Sequence, residues 1–195
     1  MIPTAPLRVR NRLAEIILAA LETPEACREL AALGEPDAPA PDWLAPDDLD
    51  CRPLVRQRAA GAAAALAARS TAPLRSRGAV LDAAAALFDA HLYFEVHELL
   101  EPPWRDAEGG EREALQGLIQ VAVGYQHLAN GNLAGARALL DEGCRRLFGQ
   151  ALDGLDLETF RQGVVRSAER LSRFDWRTVP AFPRLKTTNL RKEIT

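Results

Sequence analysis

The sequence predicts an all-α protein, a helical bundle with short connections preceded by an N-terminal helical extension. Three observations carry this. Apolar residues recur at helical spacing, as at Phe160, Val164, Ala168, Leu171 and Phe174. No segment alternates apolar and polar residues as a half-buried strand does. The runs are joined by short stretches of turn and cap residues, such as Asn130-Gly131-Asn132 and Gly149 to Gly154.

The first helix is expected over Leu7 to Leu21, where Leu13, Ile16, Ile17, Ala20 and Leu21 make one apolar stripe. Thr23-Pro24-Glu25 starts the next, with Thr as cap and Pro at the first helical position, and Gly34 ends it after Leu33. Residues 35–50 read as an extended linker stiffened by Pro36, Pro39, Pro41 and Pro46, with Trp43 seated in a groove of the body. A third, alanine-rich helix spans Pro53 to Arg69, and Ser70 to Pro73 breaks it. Residues 1–73 thus form the extension, which holds nothing resembling a catalytic cluster.

The main bundle is expected over residues 74–175. One helix runs from Arg77 to Leu100 and is closed by Pro102-Pro103. After a turn at Asp106 to Gly110, a second runs from Glu111 to Ala129, with acids in its first turn to suit the helix dipole. Asn132 caps a third, Leu133 to Phe148, and Asp156 caps a fourth, Leu157 to Phe174. Residues 176–195 read as a tail pinned by Trp176, Phe182 and Leu185, with a frayed end.

With Lys plus Arg at 24 and Asp plus Glu at 27, the net charge of −3 gives no electrostatic footprint for nucleic acid. No apolar stretch reaches membrane-spanning length, and the N-terminus lacks an apolar signal core. Cys27, Cys51 and Cys144 are sparse and unpaired in any motif, as in a reducing compartment. The expected location is therefore cytoplasmic. Neither nucleic acid nor membrane is an expected partner; a small molecule or a second copy of the chain stays open.

Chemistry concentrates in Phe88 to Trp104, which holds two of the three histidines. On a helix, His97 and Glu101 lie four residues apart on one face, while His91, Glu95 and Glu98 are expected on another. His97 and Glu101, with Glu98 and Glu95 completing the shell, are candidate ligands for a divalent metal, magnesium or manganese fitting better than zinc because carboxylates outnumber imidazoles. Glu101 as the partner that orients His97 is equally compatible with the spacing. On the following helix, Gln116, Gln120 and His127 share a stripe, and glutamines in so apolar a run need partners. If the two helices pack antiparallel, that stripe faces the His/Glu cluster, with Gly117 and Gly124 permitting close approach. Tyr93, Trp104, Gln116, Gln120 and His127 are then candidate cofactor- or ligand-binding residues. The second histidine of His-Glu-x-x-His is missing, as are the paired Glu-x-x-His of di-iron bundles and any phosphate loop.

The block Tyr93-Phe94-Glu95-x-His97-Glu98-x-x-Glu101-x-x-Trp104 resembles the signature of the domain of unknown function 309 family, small helical bacterial and archaeal proteins. That signature is a His, three residues, a Glu, two residues, and Trp or Tyr, matched here by His97, Glu101 and Trp104. Leu115-Gln116-Gly117-Leu118-Ile119-Gln120 and His127 with Gly131-Asn132-Leu133-x-Gly135-Ala136 extend the likeness over about Leu81 to Leu147. The resemblance implies an all-helical fold and a suggested metal role for the His/Glu motif, with no established activity. Three functions remain open. One is a ligand-binding module, one a structural polar seam, and one a metal-dependent enzyme such as a hydrolase using His97 and Glu101.

Overall fold

The computed structural model describes residues 5–67, 69, 73–169 and 171–184. Among them are eight helices and no strand: α1 (Leu7–Ala20), α2 (Pro24–Gly34), α3 (Arg52–Leu66), α4 (Arg77–Asp89), α5 (Tyr93–Asp106), α6 (Gly109–Ala129), α7 (Leu133–Leu147) and α8 (Leu157–Ala168). No helix of the described residues is long and apolar enough to cross a membrane. The expected frayed end and the pin at Leu185 lie outside the described residues, as does most of the break from Ser70 to Pro73.

Side-chain caps set the starts of α2, α4, α7 and α8. The hydroxyl of Thr23 accepts from Ala26 N–H, the side chain of Asn132 from Gly135 N–H, and that of Asp156 from Thr159 N–H. α6 ends where Gly131 takes φ 77° and Asn132 N–H reaches back to His127 C=O at 2.9 Å, a left-handed cap that glycine adopts freely. The final expected helix is shorter than its apolar stripe. It stops at Ala168, and Leu171–Arg173 and Trp176–Thr178 are single 3-10 turns.

The largest departure is around the segment from Phe88 to Trp104. The helix expected from Arg77 to Leu100 is two helices, parted at Ala90 to Leu92. His91 takes φ 61°, Leu92 N–H bonds Leu87 C=O at 2.9 Å, and His91 N–H bonds Phe88 C=O at 2.9 Å. This is a Schellman cap with histidine in the place where glycine is usual. The prolines do not end α5 either: Pro102 and Pro103 lie inside it, and it continues to Asp106. Arg112 of α6 secures that end. Its Nη1 donates to the carbonyls of Trp104 (2.9 Å), Arg105 (3.1 Å) and Ala107 (3.3 Å), and its guanidinium lies 4.2 Å above the Trp104 ring.

α5 and α6 form an antiparallel hairpin joined by Ala107 and Glu108, and α6 and α7 form a second. The second is the tighter. A Cβ at Gly143 would sit 2.9 Å from Gly117 C=O, and one at Gly124 would strike Leu140. Gly117 and Gly124 therefore admit α7, rather than the segment carrying His97 as the sequence suggested. Where α4, α5, α6 and α8 meet, Phe88 is ringed by Tyr93, Tyr125, Phe160 and Phe182, with centroids between 5.1 and 5.8 Å. Phe182 brings the tail to Asp89, whose carboxylate accepts from Phe182 N–H at 2.8 Å and pairs with Arg184 at 2.5 Å.

Helices α1, α2 and α3 pack on one another, and α1 and α3 also meet α5 and α4. The expected extended linker contains a 3-10 turn, Pro46–Cys51, whose buried Asp48 accepts from Arg8 at 2.5 and 2.7 Å. Trp43 is half-buried against the core.

Candidate functional site

The exposed flank of α5 carries the cluster richest in donor atoms. His97, Glu98 and Glu101 each offer one atom, and these lie within 4.8 Å of one another. His97 and Glu101 are one turn apart, and Glu98 is three residues before Glu101, so all three share a flank. His97 Nδ1 lies 3.3 Å from Glu98 Oε1, and Glu101 accepts from Arg105 Nη2 at 2.6 Å. The three side chains are 32%, 38% and 30% exposed, which leaves them open to solvent on one side. Pro102 and Pro103 have no N–H, so the carbonyls of Glu98 and Leu99 gain no helical bond from them. The helix dipole favours a cation at this end of α5, where Arg105 and Arg112 already lie.

Glu98 thus belongs with His97 and Glu101, and the second face expected for His91, Glu95 and Glu98 does not exist as a unit. His91 precedes α5, in the left-handed turn. Its ring lies 5.6 Å from both Tyr93 and Trp176, and burial there pushes its pKa below the usual histidine value. Glu95 is 1% exposed, and both its oxygens lie 3.3 Å from Arg58 Nη2 of α3. A carboxylate this buried requires a cation, and here the N-terminal extension supplies it.

The other candidate residues are spread along the hairpin. Tyr93 and Trp104 are eleven residues apart on α5, roughly 16 Å along its axis, so they do not line one small pocket. Tyr93 is 1% exposed and stacks on Tyr125 at 5.4 Å. Burial raises the pKa of both phenols, and Tyr125 hydrogen-bonds Ser167 at 2.6 Å, whereas the Tyr93 hydroxyl has no partner among the described residues. Trp104 Nε1 and Gln120 Oε1 are also buried without a partner among those residues. Gln116 and Gln120 are half-buried on α6. His127 lies at the far end of α6, where its Nδ1 accepts from Asn132 Nδ2 at 2.8 Å.

Sequence reasoning missed Arg10 and Arg58, and the part Arg112 plays at the end of α5. For Arg58 there was one signal: Glu95 sits between Tyr93 and Val96 at a core-facing register, and a carboxylate there demands a basic partner.

These features define a helical protein with a partly exposed His/Glu cluster on the first arm of an antiparallel hairpin. Residues 81–139, from α4 into α7, match the family model described as Domain of unknown function (DUF309), the family whose signature the sequence resembles. No curated protein and no solved structure matches the chain.

Proposed function

We propose that the protein binds a divalent cation through His97, Glu98 and Glu101. The observation that carries this is the convergence of one imidazole nitrogen and two carboxylate oxygens within 4.8 Å on one partly exposed helix flank. One nitrogen and two oxygens suit a hard or borderline ion, manganese or magnesium before zinc. Three protein donors leave positions for water, the arrangement of catalytic rather than structural metal sites. Hydrolysis by metal-activated water is therefore the reaction class to assay. Arg105 is 63% exposed, so it can swing into solvent and release Glu101 at little cost.

The test is manganese titration of the metal-free full chain, read by calorimetry and by the spin-resonance signal of free manganese. One equivalent is expected to bind, and Glu101→Gln and His97→Ala each to weaken it at least about tenfold. His97→Ala is expected to leave stability within about 0.5 kcal/mol, as for an exposed residue. Equal manganese binding by the wild type and both variants would overturn the proposal. A loss of more than about 1 kcal/mol on His97→Ala with no manganese binding would instead make the cluster a structural seam.

A further inference from the structure

A second site lies at the other end of α5. A cavity of about 290 Å³ separates α1 and α3 from the start of the α5–α6 hairpin, near the lower limit of roughly 300 Å³ for small-molecule pockets. Its wall carries Arg10, Arg58, His91, Tyr93, Phe94 and Trp176, while Leu13 and Val55 line the extension's side. We propose that this cavity binds a small aromatic carboxylate, with its acid group on Arg10 and its ring against the His91, Tyr93 and Trp176 rings.

Charge points to an anion. Arg10 pairs with no carboxylate among the described residues: its guanidinium lies 3.9 Å over the Phe94 ring, and its only hydrogen bonds go to the Asn11 side chain, at 3.2 and 3.0 Å. Arg58 is offset by Glu95. One positive charge is left over, held above an aromatic ring with donors to spare, and a guanidinium fork matches a carboxylate.

Aromatic geometry points to a flat body. Tyr93 and Trp176 lie nearly parallel, 23° apart at 6.3 Å, and the His91 ring sits 5.6 Å from each. His91 holds φ 61°, where glycine would be free of strain, so the position keeps a ring at a backbone cost.

The experiment is calorimetric titration of the full chain with 2-naphthoate and with its neutral analogue 2-naphthamide. Saturable one-to-one binding of naphthoate is expected, at least about tenfold tighter than naphthamide, the effect of one charge-assisted hydrogen bond. Arg10→Gln breaks no ion pair and should weaken naphthoate about tenfold. His91→Gly relaxes the turn while deleting the ring, and should weaken it severalfold with the fold intact by circular dichroism. Glu101→Gln should leave naphthoate binding unchanged, which separates this site from the cation site. Equal affinity for the acid and the amide, or wild-type binding by both Arg10→Gln and His91→Gly, would overturn the proposal.

Discussion

Removing Arg58 should reveal whether the extension is held to the hairpin by charge. Glu95 is 1% exposed and Arg58 is its ion-pair partner, so Arg58→Ala leaves a carboxylate buried without a counter-charge. Breaking a buried pair in this way costs about 3–5 kcal/mol. Two features pull the value down. Both contacts are 3.3 Å, longer than the roughly 2.8 Å of a strong charge-assisted bond. Arg58 is also 23% exposed, so water already reaches its side of the pair. We therefore expect Arg58→Ala to cost about 2–3 kcal/mol. At about 2–4 °C per kcal/mol for a chain of this size, Tm falls by roughly 8 °C. Combining Arg58→Met with Glu95→Leu removes both charges at similar volume and should recover most of the loss. Urea unfolding measures both variants, with an unchanged m-value confirming that stability alone has moved. A change within about 0.5 kcal/mol for Arg58→Ala would refute the reasoning, because Glu95 would then not depend on α3.

Two further predictions concern packing and thiol chemistry. Gly143→Ala drives a Cβ to 2.9 Å from Gly117 C=O and 3.1 Å from Val121 N, both backbone atoms. It should cost about 2 kcal/mol in thermal or urea unfolding despite alanine's better helix propensity. Gly61→Ala, with nothing within 4 Å of the new Cβ, should stabilise α3 by about 0.5–1 kcal/mol in the same assay; equal effects at the two sites would contradict the tight α6–α7 contact. Burial pushes the Cys144 thiol up to about 11, so at pH 8 it is almost wholly protonated. Iodoacetamide followed by peptide mass mapping should modify half-buried Cys51 first and spare Cys144 until the pH is raised towards 11 or the chain is unfolded. Early modification of Cys144 in the native protein would contradict its burial.

Several features were legible because their chemistry is local. Asn132 and Asp156 cap the helices they precede in the sequence, and Gly131 marks the end of α6 by its left-handed φ. His97 and Glu101 lie on one flank of α5 because residues four apart must do so. The break at His91 was hidden because its usual signal, glycine, is absent and the apolar spacing runs on through it. Pro102-Pro103 misled in the opposite direction. Prolines ordinarily mark a helix end, yet Arg112, reaching across from α6, holds the carbonyls beyond them.

By itself, the sequence determined the all-helical class, most helix boundaries and the proximity of His97 to Glu101. Each depends on hydrogen bonds, caps or side chains within about one helical turn, and such spacing leaves a periodic trace. Only the tertiary structure decided that Glu95 belongs to Arg58, 37 residues earlier. It alone created the cavity beside Arg10, which exists because α1 and α3 lie against the hairpin. Contacts between distant segments carry no period, so they emerge only when packing brings the segments together.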